Sequence, residues 1–74
     1  MSGGDKNGVV IVKHIAILKQ ANNGWTQELN IVRWYGKEEK YDIRWWSPDK
    51  ADSGKGVTMR KEEVYVLKEA LLNE

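Results

Sequence analysis

The chain of 74 residues contains no cysteine and no phenylalanine, and it has one histidine and one proline. Without cysteine, no disulfide reinforces the core, and a chain this short buries only about 60% of its unfolded surface. One histidine without any thiol is also too little for a structural zinc site. A domain with so thin a core often gains stability by oligomerising.

Long apolar runs are absent as well. No stretch approaches the roughly 18 residues that a membrane helix requires, and the polar, glycine-rich start MSGGDKNG does not have the character of a signal peptide. We therefore expect a cytoplasmic protein, with association with the bacterial nucleoid as an option, and no membrane partner. Residues 1–8 are expected to be a flexible tail and residues 9–74 the folded domain.

Neither sign of charge dominates, since 12 Lys/Arg stand against 11 Asp/Glu and the net charge is +1. The distribution is nevertheless uneven. Residues 6–61 carry 11 Lys/Arg and 6 Asp/Glu, whereas residues 62–74 carry one lysine and four glutamates. The body of the domain can therefore present a basic surface despite the small net charge.

Four segments have the composition of β-strands. They are VVIVKHIAIL at 9–18, WTQELNIVRWY at 25–35, YDIRWWS at 41–47 and GVTM at 56–59. Turn-forming residues separate them, namely ANNG at 21–24, GKEEK at 36–40 and PDKADSGKG at 48–56. Pro48 ends the third strand because proline has no N–H to donate to the sheet.

The last segment, KEEVYVLKEALLNE at 61–74, predicts a helix. Val64, Leu67 and Leu71 lie on one stripe of that helix. The predicted fold class is α+β, a four-stranded antiparallel β-meander followed by one C-terminal helix on one face of the sheet. The other face is then free for water or a ligand.

No group of residues indicates catalysis. His14 lies inside an apolar strand, where a lone histidine is more often structural than catalytic. The glycine-containing segment SGKGVT lacks the spacing of a phosphate-binding P-loop. The sequence therefore predicts no enzyme, no catalytic residue, no metal site, no cofactor and no small-molecule substrate.

Aromatic and basic side chains lie close together on the second and third predicted strands. They are Arg33, Trp34, Tyr35, Lys37, Lys40, Arg44, Trp45 and Trp46. Exposed rings between cations are typical of a surface that binds single-stranded nucleic acid, because rings stack on bases and cations contact phosphates. The alternative is that the tryptophans build the core and the cations form its solvated side. The alternation on the second strand does not decide whether Trp34 or Tyr35 is the exposed ring.

The alternation along the third strand predicts different roles for its two adjacent tryptophans. Tyr41, Ile43 and Trp45 share one face, and Arg44 and Trp46 share the other. The first set is more apolar, so it is expected to face the helix. We therefore predict that Trp45 packs in the core and that Trp46 is exposed and stacks on bases.

The order of these segments resembles the transcriptional positive cofactor 4 family of single-stranded DNA-binding domains. The matching pieces are Val32-Arg33, Tyr35, Gly36-Lys37, YDIR at 41–44, GKGVTM at 54–59 and EEVYVLKEAL at 62–71. The resemblance covers about residues 29–71. It implies a homodimer that holds single-stranded DNA across both subunits, in transcription regulation or in the protection of melted DNA.

The resemblance also implies which residues bind the nucleic acid. The family's arginine, aromatic residue and lysine after the valine fall on Arg33, Tyr35 and Lys37. Its strand arginine falls on Arg44, and its basic residue before the fourth strand falls on Lys55. With the candidates from the residue pattern, the predicted binding residues are Lys13, Arg33, Trp34, Tyr35, Lys37, Lys40, Arg44, Trp46 and Lys55.

The chain departs from the family pattern at two places. Glu38 and Glu39 stand where the family usually has a second lysine, and either Lys40 replaces that lysine or the charge is lost. The first strand is longer than the family needs, and Lys13 and Lys19 are candidates to extend the basic surface. The residues do not distinguish DNA from RNA. The alternative function is a protein-interaction module whose tryptophan face binds an extended peptide.

Overall fold

The structure, a computed structural model, describes residues 8–74. The predicted flexible tail lies outside the described residues except for Gly8, whose carbonyl accepts the N–H of Tyr35 at 2.7 Å. The boundary between tail and domain stays a prediction. The described elements are β1 (Val9–Gln20), β2 (Thr26–Trp34), β3 (Glu39–Trp46), β4 (Ser53–Met59) and α1 (Lys61–Leu72).

The four strands form one antiparallel sheet in the order β1-β2-β3-β4, and α1 follows the last strand. The predicted meander with a C-terminal helix is therefore confirmed. β4 begins at Ser53 rather than at the predicted Gly56, because Ser53 pairs with Trp46 across an irregularity in the register. A glycine-rich segment that sequence patterns assign to a loop thus extends the sheet.

β1 contains repeated bulges that its sequence does not reveal. It has 12 residues but pairs with only 9 residues of β2, and three register shifts leave Val12, Ile15 and Leu18 without a partner. A bulge places two residues of one strand opposite one residue of the other and increases the local twist. The three bulges therefore bend β1 around its neighbour.

The sheet is strongly curved. Arg44 lies opposite Glu28, and Trp34 follows Glu28 by six positions, which is about 20 Å along a straight strand. The guanidinium carbon of Arg44 nevertheless lies 5.1 Å from the centroid of the Trp34 ring. The two side chains meet because the face that carries both of them is concave. We call this face the inner face.

The buried apolar core lies on the inner face. Val9, Val32 and Trp46 are each 0% exposed, and Ile11 and Trp34 pack against them. The prediction that Trp46 is exposed is therefore wrong. Trp46 is buried because the sheet is curved. The face of β3 that has the more polar residues is the concave inner face, which encloses the core.

The opposite face, which we call the helix face, packs against α1. Residues of the sheet and α1 surround a cavity of about 80 Å³, and its apolar lining residues are Leu29, Tyr41, Ile43, Met59, Val64 and Leu67. The prediction that Tyr41 and Ile43 face the helix is confirmed. Trp45 shares their face but is only half-buried and does not belong to the buried core. The prediction that Trp45 packs in the core is therefore wrong.

α1 is attached to the sheet by one side only. The backbone N–H of Arg60 donates to Glu63 Oε1 at 2.8 Å, which satisfies a donor at the start of the helix. The described residues include all of α1, and none of the α1 residues is buried.

Within residues 8–74, no helix has the length and apolar character that are needed to cross a membrane.

Candidate nucleic-acid interface

The turn between β2 and β3 presents the most exposed of the predicted aromatic residues. The side chain of Tyr35 is 75% exposed. Tyr35 and Gly36 have φ values of 48° and 75°, and the Lys37 N–H donates to the Trp34 carbonyl at 2.8 Å. Two central residues with positive φ are typical of the tight turns that join antiparallel strands. The Tyr35 ring lies beside Gly8, where a Cβ would be 2.1 Å from Tyr35 Cε1, and the residue is nevertheless mostly exposed. Tyr35 is therefore the exposed ring.

Trp34 is adjacent to Tyr35 but has a different environment. Its ring centroid lies 6.3 Å from that of Tyr35, with the two planes inclined by 39°. Trp34 is half-buried on the inner face, where the Arg44 guanidinium covers its ring within the range of a cation–π contact. Trp34 therefore supports the turn, and the accessible aromatic surface belongs to Tyr35.

Arg33 lies next to this turn in a partly exposed ion pair. Its Nη2 donates to Glu39 Oε2 at 2.8 Å, and the two side chains are 42% and 35% exposed. Pairs this exposed contribute about 0–1 kcal/mol to stability. Arg33 can therefore exchange its carboxylate partner for a phosphate at little cost to the fold.

Arg44 is held inside the molecule. Its Nε lies 2.8 Å from Asp42 Oδ2, and the Arg44 and Asp42 side chains are 14% and 0% exposed. Thr58 Oγ1 donates to Asp42 Oδ1 at 2.8 Å. Because Arg44 compensates a buried carboxylate, it is a structural cation in this structure. The prediction that Arg44 and Trp46 share an exposed binding face is wrong.

A second ion pair, between a buried glutamate and a partly exposed lysine, lies on the inner face. Glu28, only 2% exposed, pairs with Lys50 and accepts hydrogen bonds from Thr26 Oγ1 at 2.5 Å and Asn30 Nδ2 at 3.3 Å. Burial raises the pKa of Glu28, but the hydrogen bonds from Lys50, Thr26 and Asn30 outweigh it, so the pKa lies below its usual range. His14 Nδ1 lies 2.8 Å from Asn30 Oδ1 at the edge of this group. We call these five residues the polar cluster.

Several exposed lysines have no ion-pair partner within residues 8–74. They are Lys13, Lys19, Lys37 and Lys55. Lys13 and Lys19 of β1 lie opposite Ile31 and Gln27 of β2, which places both on the helix face. Lys40 is half-buried at the start of β3. The predicted basic residues are therefore spread over both faces and both ends of the sheet.

A cleft at the opposite end of the sheet from Tyr35 was missed by the sequence analysis. Its volume is about 380 Å³, and its lining residues are Ala21, Asn23, Trp25, Trp45, Gly54 and Lys55. Of the predicted residues, only Lys55 is among them. Trp25 precedes Thr26, and Thr26 pairs with Trp46, so Trp25 and Trp45 fall on the same face. This pairing is a property of the folded sheet, and the sequence alone gives no signal for the contact.

Comparison with known proteins agrees with the order of motifs in the sequence. The model of the family described as Transcriptional Coactivator p15 (PC4) matches residues 21–70. An uncharacterized protein of Treponema pallidum (strain Nichols) is 44% identical over 61 residues, which are 82% of this chain and 72% of that relative. The matched region includes the β2–β3 turn and all lining residues of the cleft, but not β1. The chain belongs to the Transcriptional Coactivator p15 (PC4) family.

Proposed function

We propose that this protein binds single-stranded DNA with little sequence preference, by base stacking and by lysine and arginine contacts to phosphates. The observation that carries the proposal is Tyr35, which is 75% exposed and lies in the turn between Arg33 and Lys37. An exposed ring stacks on any base, because every base has a π-face. The turn lies within the residues that match the family.

The cations beside Tyr35 supply the phosphate contacts. Lys37 is exposed and has no ion pair within residues 8–74, and Arg33 gives up only an exposed pair when it meets a phosphate. Such contacts release counterions from the nucleic acid, so affinity falls steeply with salt. Arg44 and Trp46 are not part of this surface, because both are enclosed on the inner face.

We also propose that the protein is a homodimer that uses α1. Leu67 and Leu71 are 38% and 62% exposed. With Val64, Lys68 and Leu72 they line an open groove of about 360 Å³ that is mainly apolar. Contiguous exposed apolar surface on a small domain is typical of an interaction site. In a two-fold dimer, the same surface of a second copy covers it.

The proposed setting follows from the family. A family described as a transcriptional coactivator favours a role in transcription regulation, and binding to single strands also suits the protection of melted DNA. In a bacterial cell, both roles place the protein in the cytoplasm with the nucleoid. The proposal includes no catalytic step, no cofactor and no small-molecule substrate.

Fluorescence anisotropy tests the DNA-binding proposal. A labelled oligothymidine of about 20 nucleotides, long enough for one binding site, is titrated at two salt concentrations beside a matching duplex and an oligouridine. We expect salt-sensitive binding to the single strand and weaker binding to the duplex. Equal affinity for oligouridine would widen the ligand class to RNA. Binding that does not respond to salt, or no binding, would contradict the proposal and direct attention to extended peptides.

The variant Tyr35→Ala tests whether the exposed Tyr35 ring contributes to DNA binding. We expect binding to weaken by about 1–3 kcal/mol, which is the range for loss of one stacked base. Folding should be retained because the ring is exposed. Tyr65→Ala is the matched control, since Tyr65 is 64% exposed on α1, and it should keep the wild-type affinity. Equal affinities of both variants would show that Tyr35 does not stack.

A further inference from the structure

We propose that the cleft between Trp25 and Trp45 binds one unpaired nucleobase, with Lys55 contacting a neighbouring phosphate. The inference rests on the proposed function, because the base belongs to the same single strand that the Tyr35 turn holds. It adds a second base site at the other end of the sheet. The family resemblance implies Lys55 as a binding residue, but it does not include Trp25 and so does not imply a base held between the two tryptophans.

The cleft has the size and the chemistry for a flat aromatic ligand. Its volume of about 380 Å³ lies at the small end of the range for ligand pockets. Gly54 keeps the space open, because a methyl group there would lie 3.4 Å from Trp45 Cβ and 3.7 Å from Trp25 Cζ3. Gly54 therefore lies next to both tryptophans, and a larger side chain at this position would occupy the space of a base.

The loop that carries Trp25 is organised before any ligand binds. The Ala21 N–H donates to the Trp25 carbonyl at 2.8 Å, and the Gly24 N–H donates to the Ala21 carbonyl at 3.1 Å. The Trp25 N–H donates to Asn23 Oδ1 at 3.0 Å. Because these bonds order the loop during folding, less entropy is lost when a base enters the cleft.

Two unpaired lysines flank the cleft. Lys55 is one of its lining residues. Lys19 lies opposite Gln27, and Gln27 lies opposite Trp45, so two strand spacings of about 5 Å separate the Cα atoms of Lys19 and Trp45. Neither lysine has an ion pair within residues 8–74. A base between the tryptophans therefore has a cation available for the phosphate on either side.

A single nucleic-acid strand of moderate length reaches both base sites. Trp25 and Tyr35 stand at the two ends of β2, and the ten residue spacings between them amount to about 33 Å on a straight strand and less on a curved one. At a duplex-like rise of about 3.4 Å, a nucleic-acid strand needs about ten nucleotides for this distance. Lys13 lies along the way, on the same face as Lys19.

Photochemical cross-linking tests the position of the bases directly. Oligothymidine of about 20 nucleotides, long enough for both sites, carries 5-iodouracil and is irradiated in complex with the full chain. Cross-linked peptides are then sequenced by mass spectrometry. We expect adducts on Trp25 or Trp45 in addition to Tyr35. Adducts on Tyr35 without any on the two tryptophans would overturn the cleft proposal and leave the proposed function intact.

Affinity measurements on cleft variants give a second, independent test. Trp25→Ala is expected to weaken binding of the same oligonucleotide about 5- to 150-fold, the equivalent of one lost stacking contact. Gly54→Val should weaken it as well by filling the cleft, while both tryptophans remain. Lys55→Ala should lower the slope of log affinity against log salt by about 1, whereas the matched control Lys61→Ala should not.

The outcomes separate the two proposals. Wild-type affinity in both Trp25→Ala and Gly54→Val, with circular dichroism showing folded protein, would overturn the cleft proposal. If Tyr35→Ala is weakened in the same series, the proposed function stands without the cleft. If the wild-type chain does not bind the oligonucleotide at all, the proposed function fails and the cleft proposal fails with it.

Discussion

At the scale of single residues, the adjacent tryptophans of β3 lie on opposite faces of the sheet, and the bend of the sheet decides which of the two is buried. Trp46 is 0% exposed in the core, and its Nε1 has no hydrogen-bond partner within residues 8–74. Trp46 therefore stabilises the domain by packing alone. Trp45 lies in the open cleft, where its removal leaves no enclosed cavity.

Trp46→Ala is expected to lower the free energy of unfolding by about 3–5 kcal/mol, as for other truncations of large core residues. Trp45→Ala is the matched control and should cost clearly less, because the side chain is only half-buried. Urea denaturation of both variants measures the difference. A larger loss in Trp45→Ala than in Trp46→Ala would contradict the assignment of the two faces.

The lowered pKa of Glu28 makes stability depend on pH in a definite direction. The carboxyl has a lower pKa in the folded state than in the unfolded state, where it is about 4.3. The stabilisation is therefore fully present above that pH and is lost as the pH falls through the folded-state pKa. Below both values, Glu28 no longer favours the folded state.

Glu28→Gln is expected to lower the free energy of unfolding at neutral pH by about 1–3 kcal/mol, because buried donors lose their charged acceptor. The variant should also lose less stability than wild type on acidification to about pH 3. Urea denaturation at both pH values measures this, with exposed Glu62→Gln as the control. Equal acid sensitivity of Glu28→Gln and wild type would show that Glu28 does not supply the pH dependence.

At the scale of elements, two glycines of β4 have unlike surroundings. A Cβ at Gly56 would lie 2.1 Å from Arg44 Cβ and 2.4 Å from the Ile43 carbonyl oxygen, whereas a Cβ at Gly54 makes only ordinary contacts. Gly56→Ala is expected to cost about 1–3 kcal/mol by overpacking. Gly54→Ala should change stability by no more than about 0.5 kcal/mol. Thermal unfolding compares them, and equal midpoints would refute the close approach of β4 to β3.

The elements were predictable because their signals are local. Turn residues at 21–24 and 36–40 end the strands, and the stripe of Val64, Leu67 and Leu71 indicates the helix. The bulges of β1 were not predictable. Val12, Ile15 and Leu18 recur at every third position, a spacing that matches neither the period of a strand nor that of a helix.

At the scale of the whole molecule, the apolar stripe of α1 predicts the oligomeric state. Leu71→Glu places a charge in the proposed interface and should convert a dimer into a monomer of 8.5 kDa. Val66→Glu is the matched control, because Val66 is 67% exposed and lies about 100–160° around the helix from the three stripe residues. Light scattering after gel filtration measures the mass. A wild-type monomer, or a dimer that survives Leu71→Glu, would contradict the proposed interface.

The sequence by itself determined the order of the strands and the helix, the family, and a turn after the second strand. It left open whether Trp34 or Tyr35 is the exposed ring, which the structure decided in favour of Tyr35. These features depend on residue spacing, turn-forming residues and motif order, all of which are local. Only the tertiary structure decided that Trp46 is buried, that Arg44 pairs with Asp42, and that Trp25 meets Trp45. Each of these depends on the curvature and register of the sheet, which arise from contacts between strands and are not contained in the alternation of any one of them.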